Sequence, residues 1–235
     1  TVAYSKGSVT TIANVESGAH LAAGTVNTSG STLKVRAINN NSFSTSATSV
    51  AAPGLGASGA VGGAFAISDI TTSVTATLGA SLGTDVNTRM NGSVLAEATS
   101  DTTLNSTMAS SIAGLPALIA AIERGLRAVT SPTSIIRDHM GSLMPLSFDF
   151  KVAGALSLAN STQSATAAIA QNPSGGAPSI YASGNVAVAS NVIDRGVRSN
   201  ATSSAITKDP VSGESTAISA AVAWGNFTHN SNAYV

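Results

Sequence analysis

The side chains that could support chemistry are few in this chain and widely separated. Among 235 residues there are 11 acidic and 11 basic side chains, three histidines and no cysteine. Glycoside hydrolysis requires two carboxyl groups on either side of a sugar linkage, so acids that can approach each other after folding are of interest. The pairs that qualify are Asp69 with Asp85 and Glu97 with Asp101. A polysaccharide-active enzyme is therefore one function that the sequence leaves open.

The acids also have a simpler explanation as stacked polar residues. Asp69 corresponds to Asn160 and Asn226 in other copies of a repeated pattern, which predicts a row of stacked side chains rather than a catalytic pair. The three histidines do not have the spacing of a metal-binding motif, and without cysteine no thiolate site can form. We therefore predict no catalytic residue, no metal ion and no cofactor.

A fifteen-residue pattern occurs four times and organises the chain. In the second copy the large residues Phe65 and Ile67 alternate with the small residues Ala64 and Ala66. Alternation with a period of two predicts a strand, and we expect its large residues to face the core. Trp224 corresponds to Ile67 and is thus expected in the core, although Trp224 with Phe227 could instead form a carbohydrate platform. The four copies span residues 1–15, 64–78, 155–169 and 221–235.

Each copy contains a polar pair near its middle, which is Ser68-Asp69 in the second copy. Aspartate and asparagine suit turns because their side chains bond to nearby backbone, so this pair predicts a corner. After it the inward positions change parity and hold Val74, Ala76 and Leu78. The pattern thus predicts two short strands that are separated by a turn.

Two further elements recur between copies of the first. The first is an alternating strand in which Leu33 and Val35 take the inward positions. The second is a strand rich in serine and threonine that follows it. The whole module repeats at just over 60 residues, and single modules of this size bury their apolar face only by stacking on neighbours. We therefore predict an all-β fold, a parallel β-helix or β-solenoid. The recurring segments are 32–37, 93–98 and 185–190, followed by 43–50, 104–112 and roughly 197–206.

The interval between the second and third copies is longer by about 30 residues. This extra segment, residues 114–145, has apolar residues on one helical face and a proline, Pro116, where a first helical turn accepts it. We predict an inserted α-helical hairpin between solenoid repeats at 1–113 and 146–235, all within one continuous domain. Arg124, Arg127 and Arg137 concentrate positive charge there and are candidate residues for binding an anionic glycan or a protein partner.

The repeats resemble those of the large leukotoxin-type filamentous adhesins of Gram-negative bacteria, which are similar in style to filamentous haemagglutinins. The resemblance lies in the alternating strand with its Asn or Asp, the Gly79-Ala80 step, and the segments SGNVAVAS and NATSSAI that begin at Ser183 and Asn200. It implies a right-handed parallel β-helix in an extended, secreted cell-surface fibre. It implies no catalytic residues.

Composition narrows the possible partners. Only 9% of residues are charged and the formal net charge is zero, so the chain lacks the basic excess that binds nucleic acid. No apolar run approaches the roughly 20 residues of a membrane-spanning helix. The chain opens and closes inside copies of the repeat, so we expect a segment of a longer polypeptide that continues or self-associates end to end. The predicted function is a structural and adhesive segment of an extracellular surface protein; the alternatives are the enzyme and a partner-binding insert.

Overall fold

The computed structural model describes residues 1–16, 19–21, 31–51, 59–82, 91–113, 150–170, 178–205 and 216–235. Within these ranges all regular secondary structure is β-strand, which confirms the all-β prediction. The strands are β1 (Val2–Val15), β2 (His20–Leu21), β3 (Ser31–Ala51), β4 (Ala60–Leu78), β5 (Ser81–Leu82), β6 (Gly92–Ala113), β7 (Phe150–Ile169), β8 (Val186–Asp194), β9 (Val197–Ala205) and β10 (Thr216–Tyr234).

The strands form two main parallel sheets, and successive long strands alternate between them. The first sheet has the order β1-β4-β7-β10, and the second has β3-β6 with both β8 and β9 paired to β6. A small third sheet joins β2 and β5. In the first sheet Ala64 lies opposite Ala155, and Ala155 lies opposite Ala221. The register predicted from the repeats is therefore confirmed.

The prediction that large residues of the repeat face the core was wrong. Ala64 and Ala66 are completely buried between the two sheets, whereas Phe65 and Ile67 lie on the outer face and are partly exposed. The inward alanines of the first sheet meet Ala47 and Ala109 of the second. Because small residues from both sheets meet here, the sheets can pack closely, and the large side chains are accommodated outside.

The predicted corner at Ser68-Asp69 was also wrong. β4 runs without interruption from Ala60 to Leu78, with Ser68 directed inward and Asp69 outward. The change of parity occurs in the second sheet instead, where Thr103 of β6 is an extra residue opposite the Asn41/Ser42 step of β3. Its hydroxyl donates to the carbonyl of Asn41 at 3.1 Å. One bulged residue of this kind turns the following side chains to the opposite face.

The largest apolar cluster lies at the carboxyl-terminal ends of the first-sheet strands. There Val74 and Leu78 pack against Val35 and Val94, which belong to the amino-terminal halves of second-sheet strands. The alanine clusters lie at the other end and pair the opposite halves of the strands. The two sheets therefore face each other with opposite strand directions, as expected when a chain passes from one sheet to the next.

A buried polar layer separates the large apolar cluster from the alanine clusters. Thr72, Thr102, Asn105 and Gln163 point into it and are almost completely buried. The Gln163 amide donates to Asp194 Oδ2 at 3.0 Å, but within the described ranges the hydroxyls of Thr72 and Thr102 and the amide of Asn105 have no hydrogen-bond partner. Buried polar atoms without partners cost stability, so this layer is a weak point of the interior.

Replacing Thr102 with valine should stabilise the protein. The substitution keeps the shape and removes a buried hydroxyl without a partner among the described residues, so we expect a gain of about 1 kcal/mol in the free energy of unfolding. Thr107→Val is the matched control, because the Thr107 hydroxyl pairs with Ser68 Oγ at 2.7 Å and its loss should cost about 1–2 kcal/mol. Urea unfolding measures both values. Equal destabilisation by the two variants would contradict this account of the polar layer.

The predicted helical hairpin at residues 114–145 lies outside the described residues. It therefore stays a prediction, as does the division of the chain at 113 and 146. The described strands on either side of the segment, β6 and β7, belong to different sheets.

Candidate ligand-binding groove on the outer sheet face

The candidate partner-binding residues Arg124, Arg127 and Arg137 lie outside the described residues, and so does Asp85. Their predicted roles stay predictions. The remaining predicted acids are all described, and their surroundings decide whether they can act together.

The acid pair on β6 does not converge. Glu97 and Asp101 lie four residues apart on the same strand, so their Cα atoms are about 13 Å apart, and their carboxylates bind different arginines. Each acid forms an ion pair, Glu97 with Arg36 at 2.7 Å and Asp101 with Arg195 at 2.9 Å. The hydrogen bond from Arg195 to Asp101, and then their charge attraction, raise the pKa of Arg195. Glu97 thus links β6 to β3, and Asp101 links β6 to the connection between β8 and β9.

Asp69 belongs to a row of polar side chains on the outer face of the first sheet. The Asn160 amide donates to Asp69 Oδ1 at 2.9 Å, and the Asn226 amide donates to Asn160 Oδ1 at 3.2 Å. Lys6 of β1 occupies the next position in the same row. The stacked polar row that the sequence predicts is therefore confirmed, and its hydrogen bonds all run in one direction.

A second row, one alternation away on the same face, consists of large apolar and aromatic residues. It contains Tyr4, Ile67, Leu158 and Trp224, one from each strand of the sheet. Trp224 is 66% exposed and Tyr4 is 58% exposed, so the expectation that Trp224 lies in the core was wrong. Phe227 points to the opposite, inner side of β10, so it does not join Trp224 in one platform.

The two rows border an open groove of about 600 Å³. Ile67, Leu158 and Trp224 form its apolar side, and Asp69, Asn160 and Asn226 form its polar side. An apolar wall that faces a few polar groups of fixed orientation is the usual composition of a ligand site. This groove is the strongest candidate functional site in the part of the chain that the structure describes.

Two hydroxyl groups, the buried Ser157 and the partly exposed Ser199, connect the sheet to its neighbour behind the groove. Ser157 Oγ lies 2.9 Å from both the carbonyl oxygen of Thr107 and Ser199 Oγ, and it can donate its one proton to either of them. Ser199 Oγ also lies 2.9 Å from the carbonyl oxygen of Trp224, which it reaches as a donor. The strand segments that carry Leu158 and Trp224 are thus tied to the second sheet, which limits their freedom to move.

The described histidine side chain and the described acids do not form a metal site. His229 Nε2 lies 3.2 Å from Asp194 Oδ2, but no group of three or more potential ligands gathers anywhere in the described ranges. The same ranges contain no helix with the length and apolar character needed to cross a membrane.

The sequence predicted the polar row and aligned Trp224 with Ile67, but it placed this apolar row on the inner face instead of the outer face. Asp69, Asn160 and Asn226 stand at equivalent repeat positions, and similar polar residues at such positions indicate stacking. The missed signal was in the neighbouring small residues. Alanine or serine occupies the alternate positions Ala64, Ala66, Ala155 and Ser157, as a closely packed interior requires.

Comparison of the chain with protein-family models, with curated proteins and with solved structures found no match. Its function is therefore inferred from the geometry of the chain itself.

Proposed function

We propose that the chain is a β-solenoid segment that serves as an extracellular scaffold with an adhesive outer face. The observation that carries this proposal is the stacking order of the strands. Strands at the same repeat position pair in parallel and in register, and sequence order equals stacking order in both main sheets. From this order, and from the alternation of successive strands between the two sheets, we infer the path of a solenoid.

The continuous bonding between successive strands supports a role as a scaffold. Every described rung of the first sheet is joined to the next by a continuous backbone ladder, and the polar row adds side-chain bonds between three rungs. Interfaces between successive repeats supply the stability of such arrays. The resemblance to filamentous adhesins, which rests on the repeat segments, agrees with a location at the cell surface.

Engineered disulfides test the proposed path of the chain. The protein has no cysteine, so a pair introduced at Ile67 and Leu158 is unambiguous. Register partners on adjacent strands lie about 5 Å apart, within disulfide reach. We expect oxidation of Ile67→Cys/Leu158→Cys to close a loop that shifts mobility on a non-reducing gel. The control pair Ile67→Cys/Ala159→Cys points to opposite faces and should stay reduced; equal cross-linking of both pairs would refute this register.

Bead binding tests the adhesive role. Beads coated with the full chain should adhere to an epithelial cell monolayer several-fold more than beads coated with chain that has been irreversibly heat-denatured. The comparison holds composition constant and changes only the fold. Equal adhesion of the two preparations, or none with the native chain, would overturn the adhesive part of the proposal.

A further inference from the structure

We propose that the outer groove binds a neutral, linear carbohydrate chain that lies across the strands, parallel to the two rows. This inference deepens the proposed adhesive function and rests on it, because it names the ligand class and the residues of contact. Three features of the groove support it: an exposed aromatic platform, a row of oriented amides, and the near-cancellation of charge.

The apolar side of the groove matches the flat face of a sugar ring. Trp224 is the single tryptophan of the chain and is mostly exposed, and Leu158 and Ile67 continue its surface toward Tyr4. An exposed indole is costly to leave in water but suits ligands with one apolar face and one polar edge. The C–H groups of a pyranose ring form such a face.

The polar side of the groove offers hydrogen bonds to sugar hydroxyls. A side-chain amide has two N–H donors and an oxygen that accepts twice. In the row, Asn160 and Asn226 each use one amide N–H toward the next residue, and that bond fixes the orientation of each amide. Each amide therefore retains one donor that its neighbour in the row does not use. The hydroxyl groups of a sugar both donate and accept, so they can bond to the N–H donors and to the oxygen acceptors of these amides.

The charge of the polar row favours a neutral glycan over an anionic one. Asp69 lies within the groove, and Lys6 is its register partner on β1. The remaining two members of the row, Asn160 and Asn226, are uncharged. A sulfated or carboxylated chain would meet Asp69 directly and would gain only a single lysine at the far end, which is less than polyanion binding requires.

The length of the groove favours a chain of several sugars. Strands of a sheet lie about 4.8 Å apart, so Ile67 and Trp224, which line the groove two strands apart, are separated by about 10 Å, and the apolar row continues for one more strand to Tyr4. A single sugar covers only part of this distance. Both rows repeat once per strand, so a polymer with repeating hydroxyls finds equivalent contacts along its length.

Tryptophan fluorescence tests the proposal directly, because the single tryptophan reports on the groove alone. The probes are a β-linked glucose hexasaccharide, free glucose and a heparin-derived hexasaccharide, titrated into the full chain. We expect saturable quenching or a blue shift with the neutral hexasaccharide only. Binding of the heparin fragment in preference to the neutral one would overturn the assignment of ligand class, and no response to any probe would overturn the site.

Variants locate the site by calorimetry, which does not depend on the fluorophore. Trp224→Ala and Asn160→Ala should each weaken binding of the neutral hexasaccharide about tenfold or more, which corresponds to about 1.4 kcal/mol. Asn200→Ala is the control, because Asn200 is an exposed asparagine on β9 of the other sheet. Unchanged affinity in Trp224→Ala, with the fold retained by circular dichroism, would refute the proposal.

The bead assay separates this inference from the proposed function. If beads coated with the Trp224→Ala variant still adhere and the chain binds no glycan, the adhesive function is supported and the glycan site is refuted. If the chain binds the hexasaccharide but beads coated with the native chain do not adhere, the glycan site is supported and the adhesive role is refuted. Self-association that Trp224→Ala abolishes, without glycan binding, would identify the groove as a contact between copies and would overturn the inference.

Discussion

Replacing Leu78 with alanine should lower the free energy of unfolding by about 3–5 kcal/mol, the largest effect expected of any single truncation considered in this chain. Leu78 is completely buried and belongs to the one cluster in the described interior that contains large aliphatic side chains. The remaining clusters are built from alanine and have little apolar surface to lose. Within the described residues, the burial of large apolar side chains is thus concentrated at this end of the strands.

Leu156→Ala is the matched control for Leu78→Ala. Leu156 lies on the outer face of the neighbouring strand and is partly exposed, so its truncation leaves no enclosed cavity. We expect it to cost about 1 kcal/mol. Urea denaturation followed by circular dichroism gives both values. A loss at Leu156 as large as the loss at Leu78 would show that the outer face is covered and would contradict the assignment of faces.

Enlarging Ala66 to leucine should destabilise the protein by about 3 kcal/mol, at the upper end of the usual range for overpacking. Ala66 is completely buried and meets alanines of the opposite sheet, so three added carbons have no space without separating the sheets. The thermal unfolding midpoint should fall accordingly. A loss of stability of this size should also reduce the yield of soluble protein.

Ala187→Leu is the control for Ala66→Leu. Ala187 is exposed on β8, and its register partner on β6 is already a leucine, Leu95. The same chemical change should therefore leave stability within about 0.5 kcal/mol of the parent. If Ala66→Leu were equally well tolerated, the alanine clusters would not be closely packed, and the physical reason given for the outward position of Phe65 and Ile67 would fail.

The pairing of strands could be predicted from the sequence because it depends on similarity between distant segments. The alignment of Leu33 with Val94 and Val186 is reproduced residue by residue in the second sheet. Repeated segments that stack must place equivalent residues side by side, whatever direction those residues face. Similarity alone therefore determines register, and no knowledge of packing is needed.

The direction of the side chains could not be obtained in the same way. Alternation in size shows that Phe65 and Ala66 lie on opposite faces but does not show which face is inside. Large residues are usually buried, but here both sheets contribute small residues to the interior, and this depends on a contact between strands far apart in sequence. The sequence therefore predicted the row of Trp224 correctly and its side of the sheet wrongly.

The polar pair Ser68-Asp69 misled for a related reason. Aspartate and asparagine favour turns when considered alone, but in a stack of identical rungs they also bond to their equivalents. Asp69 accepts a hydrogen bond from its equivalent, Asn160, and the side chain of the neighbouring Ser68 points inward and pairs with the Thr107 hydroxyl. The polar side of the candidate groove was thus predicted from its stacking, whereas the outward direction of the apolar side became visible only in the three-dimensional structure.

The number of residues between paired strands is unequal, and this indicates where the chain can accept an insertion. Val2 pairs with Phe65, which is 63 residues away, whereas Ala64 pairs with Ala155, which is 91 residues away, yet both pairings keep the same register. The 28 extra residues lie between β6 and β7, because 36 residues separate these strands and only eight separate β3 from β4. The register of the sheet therefore does not depend on the length of this connection. The link between β6 and β7 is therefore a natural grafting point. Foreign cargo, such as a fluorescent protein or an enzyme, could be inserted there while the rungs on either side stay aligned.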